Sequence, residues 1–332
     1  MNSPRRMRAV GVLALGVAAT LVAATGCGST SNAGAGSGKH YKISLIVGLK
    51  GDDFYGSLAC GAKSAARSLG ADVNVQGPSK WDAPEQISVL NSVIASRPDA
   101  ILIAPVDDTA LQAPLEQAAA QNIKIVLVDT TLKDPSIAAA QVTSDDQLAG
   151  KDAATEVAKQ TGGKGSVVTI NTQPGVSTVE ARVRGFETGI KEAAGLNYLG
   201  QQYSGDDAAK ASGVVTSSLA AHPDLAAVFA TNTLTGQGAA TGIKDAHKTG
   251  QIKLVGFDAN PSGVQALQDG SAQAQVVLKP LDIGTQGVQQ AVNALSGKPV
   301  EKLVHTGALM ATKDNLNTPD VQKYLYHSNC TG

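Results

Sequence analysis

From Tyr41 onward, short apolar runs alternate with amphipathic stretches at intervals of about 25 to 30 residues, the spacing of βαβ units that build a parallel sheet. The pattern predicts strands near 42–48, 71–76, 100–104, 124–129 and 138–142, with helices near 55–69, 84–96 and 109–121 between them. Asp82 followed by Pro84 is a cap with proline in the first turn, and it opens the second of those helices. A second unit follows: a helix near 146–160, strands near 165–171, 197–203, 226–231, 252–257 and 273–278, and helices near 177–194, 207–221, 235–248 and 261–269. After Lys279-Pro280 the pattern predicts a helix near 282–296, one short strand near 302–310 and a tail.

Four of the apolar runs stop on a polar residue where the next helix should begin. Ile101–Pro105 leads to Asp107 and Asp108, Ile125–Val128 ends on Asp129, Ala227–Ala230 leads to Asn232, and Leu254–Phe257 ends on Asp258. In an open parallel sheet the ligand crevice lies outside the carboxyl ends of the strands, so these side chains face a ligand instead of a core. Two such sets, one in each half, imply an α/β fold of two doubly wound parallel-sheet lobes that face one cleft and share a multi-segment hinge. The expected lobes are residues 40–144 plus 280–307 and residues 145–279 plus 308–332, the second including the tail. Asp145, Lys279-Pro280 and Thr306-Gly307 are the candidate crossings.

A chain of 332 residues suits two lobes with separate cores. With 17% charged residues and a formal net charge of -1, it has no basic face to offer nucleic acid. Aromatic residues are only 3% of the chain, so each one near the cleft matters. Arg5, Arg6 and Arg8 followed by the apolar stretch Val10–Ala24 form an export signal over 1–26, too short and too small in side-chain volume for a comfortable membrane span. Ala24-Thr25-Gly26-Cys27 resembles the lipobox of bacterial lipoproteins, which implies lipidation at Cys27. Residues 27–39, rich in Gly, Ser and Ala, then act as a flexible tether. The two remaining cysteines, Cys60 and Cys330, are expected to pair, as an even set in an exported protein favours, tying the tail to the first helix.

Five local sequences carry a family resemblance: Val142-Thr143-Ser144-Asp145 with Gly150, Arg182-Val183-Arg184-Gly185-Phe186, Ala226–Asn232, Val255–Asp258 and Leu281-Asp282-Ile283-Gly284. Together, and in that order, they resemble the ribose-binding-protein-like substrate-binding proteins of ABC sugar importers, the type I periplasmic binding proteins. The similarity spans about Tyr41 to Asn315. It implies a ligand loop at Lys50–Tyr55, with Asp52, Asp53 and the aromatic pair Phe54 and Tyr55 against a sugar ring. It further implies ligand contacts from Asp129, Arg182, Asn232 and Asp258. Carboxylates accept from vicinal hydroxyls while Arg and Asn donate, which suits polyols. The chain departs from the pattern at Thr130, where an Arg is expected, and at Asp52 and Ala104, where Asn is expected. Lys279 stands in place of a Gln, and Asp206 stands where the carboxyl lobe would carry an aromatic. These five departures leave a pyranose, a smaller or acyclic polyol and an acidic sugar as alternatives.

Each residue also has a purely structural use. Asp129 and Asp258 can cap helices, Arg182 can pair with Glu180 or Glu187, Asn232 can serve a turn, Asp52 and Asp53 can belong to a solvated loop, and Lys279 can join a hinge ion pair. Trp81 reads as rim packing. Catalytic constellations and metal-ligand spacings are missing from the chain, so neither an enzyme, a cofactor nor a metal is expected. The sequence thus describes a monomeric, lipid-anchored binding protein on the outer face of a bacterial cytoplasmic membrane. The resemblance implies that it captures a small sugar or polyol by hinge closure and delivers it to an ABC permease. The alternatives are a sensor lipoprotein that reports to a membrane receptor and, more remotely, an enzyme using the cleft carboxylates.

Overall fold

The computed structural model describes residues 40–330. The export signal, Cys27 and the tether expected over residues 1–39 lie outside the described residues. Two six-stranded sheets form the framework. The first is built from β1 (Tyr41–Ile46), β2 (Ala71–Gln76), β3 (Ala100–Ile103), β4 (Lys124–Val128) and β5 (Ala140–Thr143), with β11 (Leu303–His305) joining at its edge. The second is built from β6 (Gly165–Asn171), β7 (Leu196–Tyr203), β8 (Leu225–Ala230), β9 (Lys253–Phe257) and β10 (Ala274–Leu278), with β12 (Ala308–Thr312) at its edge.

The two sheets repeat one topology. Their strand orders, β11-β5-β4-β3-β1-β2 and β12-β10-β9-β8-β6-β7, are the same arrangement in the two halves of the chain. Strands β3 and β10 are buried along their whole length, as strands covered by helices on both faces must be. Every pairing is parallel except β10 with β12. The expected single strand near 302–310 is therefore two strands. Gly307, with φ of 69°, turns the chain from the first sheet to the second, and β12 enters antiparallel as a result.

Connecting helices are α1 (Asp53–Leu69), α2 (Ala83–Ala95), α3 (Gln112–Ala120), α4 (Asp146–Thr161), α5 (Ser177–Glu192), α6 (Ala208–Ala221), α7 (Thr233–Asp245), α8 (Pro261–Asp269), α9 (Pro280–Ser296) and the short α10 (Pro319–Gln322). Helix α3 begins later than the expected residue 109 because Asp107 Oδ1 accepts from the backbone N–H of Thr109 and Ala110 and holds that stretch in a turn. The chain passes between sheets after β5, after β10 and between β11 and β12. These are the stretches holding Asp145, Lys279 and Thr306-Gly307.

Each lobe holds one pair of helices that cross at backbone contact, α1 with α9 in the first and α4 with α5 in the second. A Cβ on Gly61 of α1 would run into the carbonyl oxygen of Leu281 on α9, and one on Gly284 of α9 would run into that of Leu58. The other lobe repeats the device, with Gly150 of α4 against Arg182 O and Gly185 of α5 against Gln147 O. Backbone cannot retreat as a side chain can, so Gly284→Ala is expected to destabilise the fold by about 2–3 kcal/mol. Urea unfolding of the variant checks this, and an unchanged midpoint would contradict the crossing geometry.

Candidate functional site

The carboxyl ends of both sets of strands meet around a cavity of about 320 Å³. One lobe contributes Asp52, Phe54 and Tyr55 from the start of α1, Trp81 ahead of α2, and Asp129 after β4. The other contributes Thr172 after β6, Thr178, Val179 and Arg182 on α5, Asp206 after β7, Asn232 after β8 and Asp258 after β9. Asp129 and Asp258 follow the fourth strand of their respective sheets. Both sit in the left-handed region, with φ of 63° and 78°. Asp tolerates that conformation better than most residues, and strain of this kind gathers at working sites.

Arg182 is buried and holds the centre. Its Nε donates to Asp146 Oδ1 at 2.8 Å and Nη1 donates to Thr231 O at 2.7 Å, while the guanidinium carbon lies 4.3 Å from the centre of the Phe257 ring. A guanidinium has five N–H donors, so several remain to face the cavity. Neither Glu180 nor Glu187 is its partner; the sequence reading missed Asp146, whose use is visible only once α4 and α5 cross. Removing Arg182 would leave Asp146 as a buried carboxylate without a counter-charge.

Carboxylates surround this buried cation, and the exposed Lys50 is a second cation lining the cavity. Burial raises Asp129 to about 7, against the donor Tyr55 OH at 2.7 Å and the pull of Arg182, with Asp146 and Asp258 pushing in the same direction as burial. Burial raises Asp52 to about 6, helped by Asp258 across the cleft and opposed by the backbone N–H of Tyr55, which donates to Oδ1 at 3.1 Å. Burial also raises Asp258, Asp146 and Asp206. Asp258 accepts from the N–H and hydroxyl of Thr233, each at 3.1 Å, and from Tyr326 OH at 3.3 Å. Asp206 accepts from Asn232 Nδ2 at 2.7 Å, and Asn232 also closes a capping box with Thr235 at the start of α7. Asp52 likewise both caps α1 and lines the cavity.

Three expected residues stand elsewhere. Asp53 is the first residue of α1 and, unlike Asp52, does not line the cavity. Thr130 is buried beyond the end of β4, because the left-handed turn at Asp129 directs the chain away from the cleft. Lys279 places its ammonium 5.1 Å from the centre of the Tyr324 ring, at the hinge crossing. The aromatics behave as a cluster: Phe54 meets Tyr55 edge-on at 5.2 Å, and Trp81, which donates from Nε1 to Val106 O at 2.9 Å, lies 6.3 Å from Tyr55. Trp81 lines the cavity as well as packing.

The sequence reading also passed over Thr172 and the lobe contacts. Thr172 lines the cavity, is buried, and its hydroxyl has no hydrogen-bond partner within the protein. At the cleft mouth Thr131 N–H donates to Ser177 Oγ at 2.9 Å and Asp108 N–H donates to Gly175 O at 3.1 Å, so the lobes touch across the opening. Among the described residues no group of three His, Cys, Asp or Glu side chains is placed to hold a metal ion, and no helix is long and apolar enough to cross a membrane.

Comparison with known proteins gives consistent matches along the chain. The periplasmic binding protein domain family matches residues 43–299. The ribose import binding protein RbsB of Escherichia coli (strain K12) is 31% identical over 283 residues, covering 85% of this chain and 94% of the relative. Among solved structures, an ABC transporter solute binding protein from Agrobacterium vitis bound with alpha-D-tagatopyranose superposes with a TM-score of 0.84 at 37% identity, covering 86% of this chain and 99% of that one. A second from the same organism, with bound D-fucose, gives 0.80 at 30% identity, covering 86% and 100%.

Tyr55 and Asp129 belong to the same lobe, so their hydrogen bond reads out directly in stability. A carboxyl raised from 3.8 to about 7 contributes stability that is present at low pH and lost as pH rises through 7. Below that range Asp129 is neutral and needs Tyr55 little. Above it the ionised carboxylate relies on that donor, so Tyr55→Phe is expected to cost about 1.5–3 kcal/mol at pH 8 and clearly less at pH 5. Urea unfolding at the two pH values checks it, and equal losses would contradict the burial of Asp129.

Proposed function

The chain belongs to the periplasmic binding protein domain family, and from that premise we propose that it is the extracytoplasmic solute-binding component of an ABC importer for a small neutral sugar. The observation that carries the reading is the cavity between strand ends of both lobes, with Arg182 as its buried cation among Asp52, Asp129, Asp206 and Asp258. Ionised carboxylates accept hydrogen bonds from sugar hydroxyls, and the guanidinium and Asn232 donate to them, bonds stronger than those between neutral groups. Apolar ring faces rest on Phe54 on one side and on Val176, Val179 and Leu234 on the other. That volume suits one monosaccharide, at the lower end of the roughly 300–1,000 Å³ of small-molecule pockets.

Charge separates the ligand classes. Lys279 is turned to Tyr324 at the hinge, which leaves Arg182 and the exposed Lys50 as the cations lining the cavity against the carboxyls of Asp52, Asp129, Asp206 and Asp258, a balance that disfavours an acidic sugar. Missing aromatic cover in the carboxyl lobe does not require an acyclic polyol, because Val176, Val179 and Leu234 supply apolar surface in its place. Relatives with bound tagatopyranose and fucose support a ring form.

The lobes, taken as residues 40–144 plus 280–307 and 145–279 plus 308–332, rotate about the three crossings. Ligand touching both lobes shifts the population toward the closed form by its differential affinity for that form. The closed form is the one a permease recognises. Lipidation at Cys27 and the tether over 27–39 hold the monomer to the outer face of the membrane, and catalysis has no part in this function.

Trp81 is the sole tryptophan of the chain and lines the cavity, so its fluorescence reports binding without a label. A panel of D-ribose, D-allose, D-fucose, D-tagatose, pentitols and aldonic acids is expected to give saturable changes and thermal stabilisation with one or more of the ring sugars and none with the acids. Response to no carbohydrate would overturn the sugar reading. For a sugar that binds, Asp258→Asn is expected to weaken affinity at least tenfold. Thr172→Val is expected to weaken it severalfold with little change in thermal stability, because that hydroxyl has no partner of its own to lose. Wild-type affinity in either variant would remove that residue from the site.

A further inference from the structure

After β12 the chain returns to the cleft. Tyr324 OH donates to Asp282 Oδ2 at 2.9 Å, on the first turn of α9, and its ring lies beneath Lys279. Two residues later the backbone N–H of Tyr326 donates to Ala259 O at 3.0 Å. The Tyr326 side chain is fully buried, and its hydroxyl works in both directions: it accepts from Leu278 N–H at 3.0 Å and donates to Asp258 Oδ1 at 3.3 Å. Its ring meets Phe54 edge-on, with centroids 5.5 Å apart. The next residues then dock on α1. His327 N–H donates to Ser57 Oγ at 2.8 Å, the Ser57 hydroxyl donates to His327 O at 3.2 Å, and Cys330 is joined to Cys60 by a disulfide.

We propose that Tyr326 is a positioning residue of the sugar site: entering from the tail, it fixes the Asp258 carboxylate of one lobe and the Phe54 ring of the other, and the Cys60–Cys330 bridge keeps it there. The proposal rests on the sugar reading above for the ligand, though not for the geometry. Tyr326 does not line the cavity, so it acts through its two neighbours. No other residue type fits the place, because the hydroxyl must satisfy a buried strand-end N–H and a carboxylate at once. Four residues of extended chain span at most about 14 Å, so a covalent tie at Cys330 confines how far Tyr326 can withdraw from Asp258. The tail thereby forms a fourth connection between the lobes, and it passes directly behind the binding site at Asp258 and Phe54.

Asp258 is faced by Arg182, Asp146, Asp129, Asp52 and Asp206, and its direct donors are Thr233 and Tyr326. Loss of the Tyr326 hydroxyl removes one donor to the ionised form and leaves the charges unchanged. The test uses the full mature chain with Tyr326→Phe and, separately, the double variant Cys60→Ser/Cys330→Ser. The Asp258 titration is followed by carboxyl carbon NMR without sugar, and affinities for D-ribose and D-tagatose are followed by Trp81 fluorescence. Tyr326→Phe is expected to move the Asp258 midpoint to higher pH, to weaken binding roughly tenfold, and to shift the acid edge of the affinity profile upward. The double variant is expected to show the same changes at smaller size, and it carries the test if Tyr326→Phe does not fold. An unchanged Asp258 midpoint with unchanged affinity would overturn the proposal. If neither sugar binds the wild-type protein, the sugar-free titration still decides the role of Tyr326, and only the sugar reading fails.

Discussion

A single guanidinium placed among five carboxylates is the constraint on which the rest of this structure depends. Asp146 pairs directly with Arg182, Asp129 and Asp258 feel its charge, and Asp52 and Asp206 line the same cavity. Asp52 and Asp129 come from one lobe, whereas Asp206, Asp258 and Arg182 come from the other, so closure brings like charges together and strips water from them. Each carboxyl responds by holding its proton more tightly than usual. Closure without ligand is therefore opposed by the charges that make a ligand bind well. In the function proposed above, sugar hydroxyls would reverse the balance by donating to the ionised carboxylates.

The scaffold delivers this arrangement by using one topology twice. An Asp in left-handed conformation ends the fourth strand of each sheet, and a pair of glycines lets the flanking helices touch backbone to backbone in each lobe. Three chain crossings near the cleft floor permit rotation, and the tail adds a tether that carries Tyr326 to the back of the site. Rim contacts such as Thr131 with Ser177 are few and neutral, so the charged centre governs opening and closing more than the mouth does.

Much of this was legible in the residues, for identifiable reasons. Parallel strands buried on both faces leave continuous apolar runs, so β3, β4, β8 and β9 and the polar residues after them could be read directly. Two of the three crossings carry a residue that marks a change of chain direction, Pro280 after Lys279 and Gly307, whereas the crossing at Asp145 carries neither proline nor glycine. The motifs around Gly150, Gly185 and Gly284 serve helix crossings. What could not be read depended on tertiary placement. Asp146 is one polar residue in a helix start, Thr172 one hydroxyl in a loop, and Tyr326 one aromatic in a tail without periodicity. For Lys279 the sequence left ligand contact and a hinge role open, because its neighbour Tyr324 lies 45 positions away in the chain, a pairing that spacing cannot reveal.

Small-angle scattering of the sugar-free protein at pH 5 and pH 8 tests the central claim most directly. The account predicts a larger radius of gyration at pH 8, where the cleft carboxylates are ionised and hold the lobes apart. Adding a sugar that binds should return the radius at pH 8 to its pH 5 value. A sugar-free radius that is the same at both pH values would contradict the claim that buried carboxylate charge controls closure.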